Sequence, residues 1–313
     1  MTSPKTSVDW FKFRAKAEPR EILEAMQPMF AHTGFDGQKQ DVLHIEPLER
    51  GKDGWEQACR IMWLNVPIGR MDYGGESQRG WVRVDITGKG CEWARDWDAH
   101  HKLAEMDAEI KRLDVALTTW DGELTHDGFV DAHKRGRFIS GKLGGRPPHL
   151  RQITSSDPRA GRTCYIGNRT ADKFCRGYEK GFEMAQKYPD VTITSIDGKK
   201  TEDIYRVEVE FKAATAIIPW STLTDRDEVF AGAYPYCSDI LPGIKGSRLD
   251  NKPQRAPQTD LIAALKQINI QYGGTLWTAL HAYDGDVFKV WEQIIGDKHN
   301  PALLAAGVLQ VEH

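Results

Sequence analysis

The chain has 313 residues and a formal net charge of -3, with 40% hydrophobic and 28% charged residues. That length allows one large or two medium cores, and the ordinary apolar fraction excludes bulk disorder. No apolar run reaches the roughly 18 residues of a membrane span, and residues 1–10 hold no signal-peptide core, so the expectation is a cytoplasmic protein without a membrane partner.

In chain order, the periodicity predicts a strand at 10–14, a helix over Pro19–Phe30 with Ile22, Leu23, Met26 and Phe30 at helical spacing, and a strand at 55–63. A Gly-rich turn at 73–75 leads into the alternating strand 80–87. Gly88-Lys89-Gly90 lacks the residue order of an ATP-binding loop and reads as a turn before a helix at 91–97. A polar helix over 98–111, a strand at 112–117 and a helix at 129–140 follow. Residues 141–162, rich in Gly, Pro and Arg, read as a mobile basic loop or an arginine-bearing hairpin. Strands at 163–167 and 174–178, a helix at 183–187, a strand at 204–212 and a helix at 213–220 complete the second half.

Residues 241–258 have linker composition. Beyond them, apolar residues mark a small helical appendage broken at Gly273-Gly274 and Gly285. Strands broken by helices with hairpin-like connections indicate an α+β fold, a largely antiparallel sheet or sheets with helices packed on them. The pattern leaves open that residues 1–100 and 101–240 are two related α+β halves, with a linker at 241–258 and the appendage at 259–313. The second half is expected to carry the chemistry.

Charge is concentrated in 134–183, where twelve Lys and Arg face four Asp and Glu. Local charge, not the total, is what a phosphate backbone meets, so a nucleic-acid partner stays open. Within that segment Arg176, Tyr178 and Lys180 share one side if the chain is extended. Cations beside the phenol would favour phenolate and hold a phosphate in line with it. Two further strands carry Arg112-x-Asp114 and Arg206-x-Glu208-x-Glu210, whose carboxylates converge if the strands are neighbours. Hard oxygen ligands of that kind suit Mg²⁺ or Mn²⁺. His100-His101 are adjacent and would diverge on a strand, and the five cysteines are scattered without a C-x-x-C pair, so neither set reads as a metal site or disulfide framework. Trp81, Trp93 and Trp97 are open to either core packing or base stacking.

The combined pattern resembles the replication initiation factor family, rolling-circle initiators of plasmids and filamentous phages together with nicking relaxases of integrative elements. The matching residues are Tyr73-Gly74-Gly75, Gln78-Arg79-Gly80-Trp81-Val82 and Thr87-Gly88-Lys89-Gly90-Cys91, then Arg112-Leu113-Asp114-Val115-Ala116. They continue with Thr163-Cys164-Tyr165-Ile166-Gly167-Asn168-Arg169, Lys173, Arg176, Tyr178-Glu179-Lys180-Gly181, Glu183 and Arg206-x-Glu208. Asn168 departs from the serine common at that place.

The resemblance implies a nicking and strand-transfer endonuclease with Tyr178 as nucleophile, assisted by Arg176 and Lys180, and with Asp114 and Glu208 holding Mg²⁺ or Mn²⁺. Tyr165 is the rival nucleophile. Arg169 would contact phosphates, and Arg112, Lys173 and Arg206 are further DNA-binding cations. The implied product is a 5′-phosphotyrosyl enzyme with a free 3′-hydroxyl primer, later resealed. Origin DNA, single-stranded or in a hairpin, is the implied partner in the bacterial host, with a host helicase and the replication machinery; a homodimer is a family expectation. A non-catalytic origin-binding regulator and a metal-dependent DNA hydrolase are the alternatives.

Overall fold

The computed structural model describes residues 5–33, 38–139, 145–188, 190–214, 216–250 and 257–305. Alternation makes Ser7–Ala15 a strand (β1), in which Phe11, Phe13 and Ala15 are buried while Lys12 and Arg14 face the other way. Helix α1 (Pro19–Phe30) starts on a proline, whose missing N–H costs nothing at a helix start, and Glu21 accepts the Glu18 N–H at 3.1 Å. Its inward stripe, Ile22, Met26, Met29 and Phe30, is completely buried, each such side chain contributing about 1.5–3 kcal/mol. Four strands follow: β2 (Leu43–Leu48), β3 (Gln57–Trp63), β4 (Val66–Tyr73) and β5 (Val82–Ile86). The meander ends with β5 paired to β1.

The second half repeats this plan. Strand β6 (Glu109–Thr119) is followed by helix α2 (His126–Lys134), then β7 (Leu150–Ile153), β8 (Thr163–Ile166) and β9 (Lys173–Tyr178). Helix α3 (Lys180–Ala185) leads to β10 (Tyr205–Lys212), which returns to pair with β6. Helices α4 (Arg226–Ala233) and α5 (Pro235–Ile240) close this unit. All ten strands form one antiparallel sheet in the order β2-β3-β4-β5-β1-β6-β10-β9-β8-β7. Read from either edge, each half presents its second, third, fourth, fifth and first strand. The halves are therefore topological repeats joined at β1 and β6, and residue 101 marks a repeat within one sheet instead of a break between domains.

One face of the sheet is apolar. Phe11, Phe13, Met71, Val84, Leu113, Val115, Val207 and Val209 are buried there in a single core with side chains from α1, α2, α4 and α5. The opposite face carries the charged side chains. Trp93 stacks on Trp63 with ring centroids 4.2 Å apart, and Trp97 packs edge-on to Phe11 and Phe30, so both belong to packing. Trp81 instead lies beneath Arg14, 4.0 Å from its ring centre.

Several elements differ from the sequence expectation. Strands β2 and β4 and helices α4 and α5 were not anticipated, β7 with its Arg151 pairs with β8 as the arginine-bearing hairpin alternative had it, and residues 213–219 form no helix among those described. The described part of the expected linker is packed: Leu241 is buried, Ser247 N–H donates to the Glu228 carbonyl at 2.8 Å and Ile217 N–H to that of Asp250 at 2.8 Å. Residues 251–256 lie outside the described part. The C-terminal unit, taken by itself, contains α6 (Pro257–Ala282), α7 (Val287–Ile294) and α8 (Pro301–Ala305). Helix α6 continues through Gly273-Gly274, while Gly285, at φ 83°, forms the turn before α7. No described helix is long and apolar enough to cross a membrane.

Candidate active site

Directly opposed residues of antiparallel strands share a face, so the register fixes the site. Across β9 and β10, Arg176 opposes Glu208 and Tyr178 opposes Arg206. Across β10 and β6, Glu210 opposes Asp114, and Glu208 opposes Ala116 one step along. Asp114, Glu208, Glu210, Arg176 and Tyr178 therefore all lie on the charged face. Strand β1 adds an acid that the sequence did not signal. Its register shifts between Val8 and Trp10, and this bulge breaks the period-two rule and turns Asp9 onto the same face.

The acids are buried and held by guanidinium groups. Asp114, 1% exposed, receives Arg112 Nε at 2.8 Å and Nη2 at 2.6 Å, a bidentate pair. Arg112 Nη2 also lies 3.0 Å from Glu210, and its guanidinium covers the Trp10 ring at 4.6 Å. Glu208, 2% exposed, receives Arg176 Nη2 at 2.6 Å. Asp9 joins Arg206 to Arg176, accepting Arg206 Nη1 and lying 3.7 Å from Arg176 Nη2. Glu210 is taken up by Arg112 and by Lys212, whose Nζ is 2.6 Å away.

Burial pushes the Glu208 carboxyl well up, against the pull of Arg176, and the neighbouring acids Asp9 and Asp114 add to the rise. Burial likewise raises Asp114, with Arg112 opposing it. The nearby Glu210 adds to the rise at Asp114, because buried carboxyls repel as anions.

Tyr178 ends β9. Its ring has the Arg176 guanidinium 5.0 Å and the Lys180 ammonium 5.6 Å from its centre. The phenol does not become the easy phenolate expected from its cations. Burial outweighs them and holds its pKa well above the ordinary value, with Arg206 and Arg176 opposing and Glu208 and Glu183 reinforcing. The physical reason is that Arg176 is neutralised by Glu208 and Lys180 by Glu183 at 2.8 Å. Lys180 also starts α3 instead of continuing the strand. Among the described residues the Tyr178 hydroxyl has no hydrogen-bond partner, and the side chain is 6% exposed.

The rival Tyr165 opposes Arg176 from β8 and so shares the face, one strand further out, half-buried and stacked on Phe174. Arg169 is exposed above both rings, 5.2 Å and 5.5 Å from their centres. Arg169, Trp10 and Phe174, with Arg112, Arg176, Glu208 and Glu210, line a cleft of about 240 Å³ beside Asp114 and Tyr178, which do not line it. Arg112 and Arg206 sit here as expected but are engaged in ion pairs. Lys173 is placed differently: it opposes Phe211 on the apolar side, donates to the Ala233 carbonyl and lies 4.1 Å from the Tyr234 ring centre. Burial pushes its pKa down, and it acts as a packing cation, not as a phosphate ligand of this cleft.

The donor set fits a hard divalent cation chemically. Asp114 and Glu208 supply two carboxylates, each with more lone pairs than its arginine occupies. Among the described residues no group of three or more His, Cys, Asp or Glu forms a ligand cluster. Two carboxylates completed by water and substrate phosphate is the usual way Mg²⁺ is held. His100 packs on Trp220, ring centroids 5.9 Å apart.

Residues 108–259 match the model of the replication initiation factor family. Among solved structures, the rolling circle replication initiator protein from Geobacillus stearothermophilus is similar in fold, with a TM-score of 0.51 and 20% identity over 73% of this chain and 83% of that one. No curated protein matches. The matched segment, residues 108–259, carries Asp114, Tyr178 and Glu208 and is similar to the replication initiation factor family.

Proposed function

We propose that this protein initiates rolling-circle replication by nicking one DNA strand at an origin with Tyr178. The observation that carries this reading is a tyrosine whose hydroxyl has no hydrogen-bond partner among the described residues, on the same sheet face as the buried carboxyls of Asp114 and Glu208. The phenol oxygen attacks phosphorus, the P–O3′ bond breaks, and the 3′-oxygen gains one proton as the phenol loses one. The products are a 5′-phosphotyrosyl enzyme and a free 3′-hydroxyl that primes synthesis. Because the ester bond is exchanged, not lost, a later 3′-hydroxyl reverses the step and reseals a circle.

Asp114 and Glu208 would hold Mg²⁺ or Mn²⁺, which supplies Lewis-acid polarisation of the phosphate when bound. Arg176 and Arg206 lie within electrostatic reach of the phenol and oppose the effect of burial on it. Release of Arg176 from Glu208 onto a phosphate oxygen would let it act on the developing charge. Duplex unwinding would be the work of a host helicase.

The test is a denaturing gel after incubation with end-labelled single strands or hairpins from the element's origin and Mg²⁺ or Mn²⁺. A protein-linked label that disappears in Tyr178→Phe is expected. Free cut ends without the adduct would indicate hydrolysis, and intact DNA would indicate an origin-binding regulator. Asp114→Asn and Glu208→Gln are each expected to abolish cleavage while DNA binding stays within about threefold. Full activity in either variant would remove that residue from the site.

A further inference from the structure

We propose that a groove running from the active-site cleft to the β7 edge of the sheet binds the substrate as single-stranded DNA, one base stacking on Tyr165. This deepens the nicking reading and rests on it for the strand's position next to Tyr178. Phe174 and Arg169 line the small cleft and also a groove of about 1260 Å³ that continues past Tyr165, Arg146 and Arg151, so the two spaces share a wall.

Charge accounting within 134–183 points to the same place. Six of the cations there, including Arg162, Arg176 and Lys180, are held by carboxylates. Arg135 and Lys173 donate to backbone carbonyls, and Lys142 lies outside the described residues. The remaining three, Arg146, Arg151 and Arg169, have no carboxylate partner among the described residues, and all three line this groove. A basic segment that neutralises most of its charge internally leaves the rest along one track, as a phosphate backbone requires.

The groove also presents a ring. Tyr165 and Phe174 stack with centroids 5.6 Å apart and planes 26° from parallel. Phe174 is closed off at 4% exposure, whereas Tyr165 is half-buried, with the exposed Arg169 guanidinium over it. A guanidinium parked on an aromatic face marks where another flat π-system can stack or be sandwiched. Duplex DNA hides its base faces, so this pairing of cations with an accessible ring selects single strands. Tyr165 is thus a stacking platform and not the second nucleophile.

The experiment measures binding of a fluorescent oligothymidylate of about 20 nucleotides, without divalent metal, so that the chemical step does not enter. Tyr165→Leu is expected to weaken binding about tenfold, within the range of one base-aromatic stack, and Tyr165→Trp to restore it. Arg146→Ala and Arg151→Ala should each flatten the salt dependence by about 0.7 in the log-log slope. Wild-type affinity in Tyr165→Leu would overturn this inference while leaving the nicking reading in place. Failure of the wild-type protein to bind the single strand would overturn both.

Discussion

Gly177 shows how closely the proposed nucleophile is built into the sheet. A Cβ at that position would stand 2.7 Å from the Phe129 ring and 2.7 Å from the Tyr205 hydroxyl, so the backbone just before Tyr178 lies directly on the core. Gly177→Ala is expected to cost about 1–3 kcal/mol in urea unfolding and to displace Tyr178, reducing nicking more than DNA binding. The Tyr178 phenol is the second residue-scale prediction. Burial raises its pKa, so the protonated form is favoured in the fold, and phenolate absorbance unique to wild type over Tyr178→Phe should appear only above about pH 10. Appearance near neutral pH would show that the neighbouring cations prevail. The acids on β6 and β10 were legible in the sequence because alternation puts Arg112 with Asp114 and Arg206 with Glu208. The phenol's acidity was not, because burial and the capture of Arg176 by Glu208 are tertiary facts. Asp9 escaped for a related reason, since a bulge shifts the register without leaving a composition signal.

Strands β1, β6 and β10 were readable because one face of the sheet is apolar and the other charged, so residue types alternate along them. Strand β7 was readable only as one of two alternatives, loop or hairpin, as an edge strand with three of its four side chains exposed. Helix α4 was missed because Asp227, Val229, Phe230, Ala231 and Ala233 are all buried, leaving no clean apolar stripe. Topology also relates β4 and β5 of the first half to β9 and β10 of the second. Where the second half has the candidate site, the first has Asp72, fully buried between Arg70 and Arg83. Burial pushes this carboxyl up, but the two arginines outweigh it and hold it below the ordinary range. Asp72 therefore adds stability that is fully present above its unfolded pKa of about 3.9 and is lost as pH falls through its lower folded value. Asp72→Ala is expected to cost about 2–3 kcal/mol near neutral pH, below the ~3–5 of a fully buried pair because both arginines reach solvent. The gap from wild type should narrow below about pH 4; a gap independent of pH would contradict the assignment.

At the scale of the molecule, residues up to 251 and those from 252 onward form separate compact units. The sheet, its core and every residue of the candidate site belong to the first. A chain ending at residue 250 is expected to unfold in one cooperative transition and to retain oligothymidylate binding; broad, non-cooperative unfolding would show that the C-terminal helices are needed for the sheet. The account depends most on which oxygen becomes esterified. Cleaving a labelled origin strand with Mg²⁺, digesting the trapped adduct with trypsin and mapping it by mass spectrometry would identify that oxygen. The predicted result is a nucleotide-bearing peptide containing Tyr178; a nucleotide on the Tyr165 peptide, or cleaved DNA with no modified peptide, would contradict it.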